Sequence, residues 1–315
     1  LIGESDIEIM KAHTVALARH LGVVGLINVQ FAIKGGNVYV LEVNPRASRT
    51  IPFVSKAIGV PLASLAARAM LGESLESLGF TREIVPPYVS VKEAVFPFTK
   101  FREFDPLLGP EMRSTGEVMG IADSFGIAFA KAQIAADNAL PLKGAIFVTV
   151  NDSDKPTVTP IVRRFHEMGF VLYATDGTAR YLRGRGIPVR AVRKVHEGRP
   201  NGIDLMLNGE IQLLINTPLG KHAQYDDYIL RQTAIAQRIS YTTTMSAASA
   251  ACDAILALRS RQPQVRPLQE WHALLSGGSS GEEFFVESVA ADRGVAATST
   301  EERVGKREAS GEALA

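Results

Sequence analysis

The stretch VYVLEVNPRASRT, residues 38–50, decides the fold of the first part of the chain. Its first half alternates as a β-strand does, which places the side chains of Glu42 and Asn44 on the same face. Two arginines, Arg46 and Arg49, follow directly. Carboxylate and amide oxygens suit Mg²⁺, and planar guanidinium groups suit phosphate oxygens. The stretch therefore indicates a site for a divalent cation and phosphate.

The preceding residues supply a partner strand. GLINVQFAIK (25–34) has strand alternation, and the glycine-rich turn at 35–37 folds it back antiparallel against residues 38–43. Gln30 then lies near Glu42, across the ladder. One bridging carboxylate with two neutral amide oxygens is a set that holds metal ions whose remaining ligands are water and nucleotide phosphates. The alternative is a surface hairpin whose polar residues only face water.

Long runs around this hairpin resemble one enzyme family. Residues 25–63 are similar to the end of the second ATP-grasp unit in the large chain of carbamoyl-phosphate synthase. KEAVFPFTKF (92–101) and DPLLGPEMRSTGEVMG (105–120) match the same family, and the resemblance extends from about residue 3 to residue 272. Such long runs are far more specific than an isolated Glu-x-Asn pattern.

The resemblance implies an activity and a role for each residue of the hairpin site. The full enzyme makes carbamoyl phosphate from bicarbonate, glutamine-derived ammonia and ATP, for arginine and pyrimidine biosynthesis, and its second ATP-grasp unit phosphorylates carbamate. By this resemblance Gln30, Glu42 and Asn44 hold Mg²⁺ or Mn²⁺, and Gln30 and Glu42 bind ATP through the metal. Arg46 and Arg49 are the implied catalytic residues, which steady the transferring phosphoryl group. K⁺ is a further candidate cation.

The resemblance also implies partners. The full enzyme includes a small glutamine amidotransferase subunit, so we expect a hetero-oligomer. The ATP lid and the adenine-binding residues are not in this sequence, and the chain opens with Leu1 rather than Met and enters a helical pattern almost immediately. We therefore expect a fragment that is inactive by itself.

Composition narrows the class of protein. The 315 residues give room for two domains, and 46% hydrophobic with 21% charged residues is a globular balance. A net charge of +1 provides no basic surplus to attract nucleic acid or anionic lipid. Cys252 is the only cysteine, which excludes an internal disulfide and a cysteine-based zinc site. With no membrane-length apolar run and no signal-peptide pattern, a cytoplasmic location is the expectation.

The second half of the chain alternates strands and helices. We predict strands at 144–150, 171–174, 189–192 and 213–215, with helices at 157–168, 179–185, 225–238 and 247–259. Such alternation favours a parallel, Rossmann-like sheet with helices on both faces. The polar segment 137–143 precedes the new pattern, so we place a domain boundary between residues 137 and 138.

Polar residues follow the predicted strands, where the ligand-binding edge of an open parallel sheet lies. They are two lysines, two threonine hydroxyls and an amide, at Lys155, Thr175, Thr178, Lys194 and Asn216. Together with the start of a helix at Gly177 they predict a phosphate pocket. Each also has a simpler interpretation: a threonine or Asp176 caps the helix, the lysines are solvated, and Asn216 closes a turn.

This half is similar to the regulatory domain of the same large chain, which is related in fold to methylglyoxal synthase. YATDGTARYL (173–182), VRKVHEGRP (192–200) and LLINTPLG (213–220) carry the match. In the family the positions of those five polar residues hold the phosphate of effectors such as UMP or IMP. Pro218 stands where relatives with known effector sites have a residue with a hydroxyl group. We expect this difference to change the affinity for the effector or the choice of effector.

The resemblance further assigns Glu93 and Thr243 to an allosteric ornithine site, whose acidic partners would lie before Leu1.

The tail from residue 273 to 315 is polar with one small apolar cluster, and we expect disorder there. The predicted fold class is α/β: residues 1–137 are the C-terminal part of an ATP-grasp domain with a connecting segment, and residues 138–272 are a methylglyoxal-synthase-like domain.

Two rival functions stay open at this point. One is a free-standing nucleotide sensor in which the first domain is only a scaffold. The other is a phosphate elimination like that of methylglyoxal synthase, for which Asp176 is the nearest candidate base. The catalytic aspartate motif of that family is not evident in the sequence.

Overall fold

The computed structural model describes residues 2–97, 112–217 and 224–275. The helices, in chain order, are α1 (Glu4–His20), α2 (Thr50–Ile58), α3 (Leu62–Met70), α4 (Phe125–Ala135), α5 (Lys155–Glu167), α6 (Asp176–Arg183), α7 (Gly202–Leu207), α8 (Gln224–Ala236), α9 (Met245–Ser260) and α10 (Leu268–Ala273). The strands are β1 (Asn28–Lys34), β2 (Asn37–Asn44), β3 (Val89–Val95), β4 (Gly116–Ala122), β5 (Ala145–Thr149), β6 (Val171–Thr175), β7 (Arg190–Val192), β8 (Leu213–Asn216) and β9 (Ser240–Thr242).

The chain folds as two compact units. The first comprises residues 1–86 and the segment from Arg266 onward, and the second comprises residues 87–265. This spatial division falls earlier in the chain than the sequence boundary at 137, because β3, β4 and α4 belong to the second unit. The boundary at 137, as a division between family domains, stays a prediction.

In the first unit, β1 and β2 form the predicted antiparallel hairpin. Gly35 and Gly36 both have positive φ, the backbone conformation that glycine adopts without strain, and they close the turn. Beyond the hairpin, α2 and α3 pack around a small apolar core that contains Val60, Leu65 and Leu78. The hairpin prediction is confirmed by this geometry.

The second unit contains two sheets. A two-stranded antiparallel sheet, β3–β4, lies against α4, and a Cβ at Gly120 would come within 2.0 Å of the Ala128 carbonyl oxygen, so only glycine permits this approach. The other sheet has five parallel strands in the order β7-β6-β5-β8-β9. Its two faces pack on separate apolar clusters, with Ile146 in one and Phe147 in the other. The predicted parallel α/β sheet is confirmed.

Within the part of the chain that the structure describes, no single helix is long and apolar enough to cross a membrane. Only α2 and α3 taken together, as a pair bent by 110°, reach the required length and composition. The tail beyond residue 275 lies outside the described residues, so the predicted disorder there stays a prediction.

Candidate functional site

The hairpin brings the three predicted metal ligands together. Gln30 is the direct cross-strand partner of Glu42. The Asn44 amide nitrogen donates to Glu42 Oε1 at 2.5 Å, and Arg46 Nη2 donates to Asn44 Oδ1 at 3.1 Å. These two bonds fix the orientation of the Asn44 amide. In the opposite orientation its oxygen would face the Glu42 carboxylate and its NH2 group would face the Arg46 guanidinium. Arg49 lies just before α2 and is exposed.

A β-bulge is what places Gln30 and Glu42 on one face. From the turn as far as Phe31, which pairs with Val40, the register is regular, and it shifts by one residue at Gln30. Without that shift Gln30 would pair with Leu41, and Glu42 would point to the opposite face, since side chains alternate along a strand. Bulges commonly re-aim a side chain next to a functional site.

The chemistry of this donor set fits a hard divalent cation. Glu42 provides a carboxylate, and Gln30 and Asn44 provide amide oxygens. Glu42 and Gln30 are exposed and Asn44 is half-buried, so water and a nucleotide can reach them. Across residues 2–97, 112–217 and 224–275, no group of three or more His, Cys, Asp or Glu side chains is placed to hold a metal ion. A cation here therefore depends on the amides as well as on Glu42.

The five residues of the predicted phosphate pocket follow the strands of the parallel sheet. Lys155 Nζ contacts Asp152 Oδ1 at 2.6 Å, and the Lys155 side chain is only 14% exposed, so it is not freely solvated. A Cβ built on Gly177 would lie 3.6 Å from Lys155 Nζ, which places this ammonium group beside the start of α6. A lysine at a helix N-terminus joins its charge to the free backbone N–H groups there, an arrangement suited to an anion.

Thr175 and Thr178 complete that side of the pocket. Both are buried, and their hydroxyl oxygens are 3.5 Å apart. Thr175 precedes α6 but makes no capping hydrogen bond with its side chain. The simpler interpretation of Thr175 as a helix cap is therefore not what the structure shows. Asp176 is exposed in the first turn of α6.

Asn216 is buried in a polar network that the sequence did not reveal. Its Nδ2 donates to Asp227 Oδ1 at 2.8 Å, and Arg231 Nη1 donates to its Oδ1 at 2.9 Å. Asn216 and Arg231 are each 1% exposed and Asp227 is 4% exposed. Asn216 therefore ties β8 to α8 instead of closing a turn. The missed signal is the spacing of Asp227, Leu230, Arg231 and Ala234, a helical stripe in which two charged residues share the buried face.

Lys194 follows β7 and is exposed. Its backbone N–H donates to Glu197 Oε2 at 2.8 Å, so Glu197 fixes the turn before Gly198. Both lysines lower the pKa of Asp152. The hydrogen bond from Lys155 has the largest effect, and the positive charge of Lys194 adds a smaller one. One exposed carboxylate is thus stabilised in its charged form by two ammonium groups.

His196 links the turn after Lys194 to α8. Its Nδ1 lies 2.5 Å from Asp226 Oδ2, and its backbone N–H donates to the same oxygen at 3.4 Å. His196 is mostly exposed, whereas Asp226 is largely covered. Pro218, where the sequence departs from the family, lies outside the described residues.

The two residues assigned to an ornithine site are both in the second unit. Glu93 is half-buried on β3, where burial raises the pKa of its carboxyl and a hydrogen bond from Gln133 lowers it. Thr243 follows β9 and is half-buried.

Comparison with known proteins gives the family. The family model described as carbamoyl-phosphate synthase L chain, ATP binding domain, matches residues 1–78, and the one described as MGS-like domain matches residues 157–243. Among solved structures, the crystal structure of ForH covers 47% of this chain and 97% of its own at 20% identity, but its TM-score of 0.27 is too low to support an argument.

Curated relatives match most of the chain. The carbamoyl phosphate synthase large chain of Gemmatimonas aurantiaca is 67% identical over 275 residues, which are 87% of this chain and 25% of the relative. Those of Pseudomonas syringae and Archaeoglobus fulgidus are 51% and 48% identical, over 84% and 86% of this chain and 24% and 25% of their own. This chain thus spans about a quarter of the relatives' length, and by these matches it belongs to the family of carbamoyl phosphate synthase large chains.

Proposed function

We propose that this chain is part of an ATP-dependent carbamoyl-phosphate synthase, in which its first unit serves carbamate phosphorylation and its second unit binds regulatory nucleotides. The observation that carries the proposal is the pairing of Gln30 with Glu42, with Asn44 bonded to the same carboxylate. Three oxygen-bearing side chains on one face match the metal-binding chemistry that the family needs for nucleotide.

In this proposal Gln30, Glu42 and Asn44 hold Mg²⁺ or Mn²⁺, which neutralises charge on the nucleotide phosphates when bound. The protein's contribution is orientation. Arg46 holds Asn44 Oδ1, and Asn44 in turn holds the carboxylate of Glu42, so a chain of hydrogen bonds fixes the ligands before the nucleotide arrives. Arg46 and Arg49 provide positive charge for the transferring phosphoryl group.

The second unit provides a pocket for the phosphate of a UMP- or IMP-like effector. Support comes from Lys155 at the start of α6, the two buried hydroxyls of Thr175 and Thr178, and the effect of Lys194 on Asp152. Asn216 is fully buried, and Asp227 and Arg231 hold its amide. Such a site needs little reorganisation to bind an anion, because the sheet already fixes its polar groups.

Family membership supports further parts of the proposal. They are an ornithine site at Glu93 and Thr243, a partnership with a small glutamine amidotransferase subunit in a hetero-oligomer, K⁺ as an additional cation and a cytoplasmic location. The matches run through both units, which does not favour a free-standing nucleotide sensor as the alternative.

The partial reaction that forms ATP from ADP and carbamoyl phosphate tests the metal site, because it is carbamate phosphorylation in reverse. The assay uses a chimaera in which this chain replaces the matching quarter of the Gemmatimonas aurantiaca large chain. We expect Glu42→Gln to lower the rate at least about 100-fold, since removal of one charge-stabilising group at a phosphoryl-transfer site has effects of this size. The control Glu8→Gln, on exposed α1, keeps the rate of the parent chimaera. A Glu42→Gln chimaera with the parent rate would refute the assignment.

A further inference from the structure

Glu93 faces a helix across a largely apolar contact. Val89 and Val91, on the same face of β3, pack against Ile127 and Ala128 of α4. Side-chain alternation sets Glu93 on this face too. A half-buried carboxylate among apolar neighbours is unfavourable unless a hydrogen-bond donor compensates for lost water.

Gln133 of α4 is that donor, and its orientation is fixed. Gln133 is 5% exposed, and its Oε1 accepts a hydrogen bond from Asn138 Nδ2 at 2.5 Å. With its oxygen engaged in this way, its Nε2 is the end that donates to the Glu93 carboxylate. The three side chains form a relay in which Asn138 donates to Gln133 and Gln133 donates to Glu93.

The end of α4 is shaped to hold this relay. Asp137 has φ of +59°, a left-handed conformation that is unusual for a residue other than glycine. This turn carries Asn138 back over the last helical turn, where its backbone N–H donates to the Gln133 carbonyl at 2.9 Å. Asn138 therefore donates to Gln133 from both its main chain and its side chain, which leaves the Gln133 amide little freedom to rotate.

We propose that Gln133 is a positioning residue for Glu93, whose amide, locked by Asn138, keeps the half-buried carboxylate charged and oriented to receive the ammonium group of an amino-acid ligand. This deepens the proposed ornithine site and rests on it for the identity of the ligand. Gln133 acts on the ligand only through its hydrogen bond to Glu93, without contacting the ligand.

Among the described residues, Gln133 is the one whose hydrogen bond acts on the pKa of Glu93. Lys92 and Glu117 pair with each other at 2.8 Å, and alternation places them on the opposite face of the β3–β4 sheet. On α4, Lys131 Nζ donates to the Ile121 carbonyl at 2.8 Å. Burial raises the pKa of Glu93 and the hydrogen bond from Gln133 opposes that rise. Loss of the Gln133 amide therefore moves the titration of Glu93 to higher pH.

The test is an NMR titration of the Glu93 carboxyl in the 315-residue chain, assigned with Glu93→Gln, together with calorimetry of ornithine binding at pH 6 and pH 8.5. The calorimetry uses the chimaera with the Gemmatimonas aurantiaca large chain, because the acidic partners of the site would lie before Leu1. In Gln133→Leu we expect the carboxyl to titrate at higher pH and ornithine to bind about tenfold more weakly at pH 6, because less of Glu93 is then charged. At pH 8.5 the difference narrows, because a larger share of Glu93 is charged. Asn138→Ala shifts both readouts in the same direction by less.

Gln212→Leu is the matched control. Gln212 also has both ends of its amide bonded, to the Ala145 N–H and the Gly209 carbonyl, but it lies just before β8. Gln212→Leu removes an amide of the same kind and should leave the Glu93 titration unchanged. An unchanged Glu93 titration in Gln133→Leu and Asn138→Ala, or a loss of affinity equal at both pH values, would overturn the inference. A shifted titration with no ornithine binding to the unsubstituted chimaera would instead refute the ornithine site and leave the role of Gln133 on Glu93 standing.

Discussion

The two candidate sites are built in opposite ways. In the hairpin site the polar groups lie on one exposed ribbon, and hydrogen bonds between near neighbours in sequence hold them. In the effector pocket the polar groups come from β6, β8, α5, α6 and the turn after β7, and Thr175, Thr178 and Asn216 are buried. The hairpin site is thus available to ligand but weakly supported, whereas the pocket is strongly supported and coupled to the core. Substitutions should therefore affect function alone in the first site, and both function and stability at the buried positions of the second.

The largest effect is expected at Arg231. This guanidinium is 1% exposed and donates to Asn216, which also bonds the buried Asp227. Arg231→Leu leaves buried polar groups without compensation, so we expect the second unit to lose about 3–5 kcal/mol of unfolding free energy in urea titrations. Arg180→Leu, on the exposed face of α6, should change it by less than about 0.5 kcal/mol. Equal effects of the two substitutions would show that the buried network does not support the fold.

A smaller effect is expected at Lys194, where function should change without stability. Lys194 supplies charge next to Asp152 but lies outside the buried core. Calorimetry with UMP and IMP should show that Lys194→Ala weakens binding about 10- to 100-fold, the value of a charge-assisted hydrogen bond to phosphate. Binding that survives unchanged would place the phosphate elsewhere.

The closed interior of the second unit also predicts the behaviour of Cys252. Burial raises the pKa of the Cys252 thiol to about 11. Because the folded value lies above the ordinary value of 9.0, the stability that the neutral thiol contributes is complete below pH 9 and is lost as the pH rises toward 11. The urea midpoint should therefore fall between pH 9 and pH 11 by more in the parent chain than in Cys252→Ala.

The same thiol should resist iodoacetamide at pH 8 in the folded chain and react in concentrated urea, since the thiolate is the reactive form. Rapid labelling of the folded chain would contradict a closed core around α9.

The smallest effect is expected at the hairpin. Glu42 is exposed, and glutamine keeps an oxygen that can accept the bond from Asn44. Glu42→Gln should therefore change the free energy of unfolding by less than about 0.5 kcal/mol, measured in urea. A loss above about 1 kcal/mol would mean that the three side chains serve the fold of the hairpin.

Local patterns predicted the elements well and the register only in part. The turn at Gly35-Gly36 and the alternation on each side were enough to predict the hairpin. They did not reveal the bulge at Leu41, although the expected proximity of Gln30 and Glu42 depends on it. A one-residue irregularity leaves little trace in apolar alternation, and only the partner strand defines it.

The missed strands have a similar cause. β9 contains the polar residues Ser240 and Thr242, and Ser240 is satisfied by a bond to the distant Ala139 carbonyl. β4 was not among the predicted strands, and its Gly120 is required by the close approach of α4. Asp227 and Arg231 could not be assigned because their partner, Asn216, meets them only after β8 and α8 pack together. Each case depends on tertiary contact, which local sequence does not contain.

The division of labour between the two units is tested most directly by a crossed measurement in the chimaera with the Gemmatimonas aurantiaca large chain. Glu42→Gln and Lys194→Ala are each assayed for ATP formation from ADP and carbamoyl phosphate without effector, and for UMP affinity. We predict that Glu42→Gln abolishes ATP formation and keeps UMP affinity. Lys194→Ala should keep ATP formation and weaken UMP binding. ATP formation that persists in Glu42→Gln, or a loss of both readouts in either variant, would contradict separate metal and effector sites.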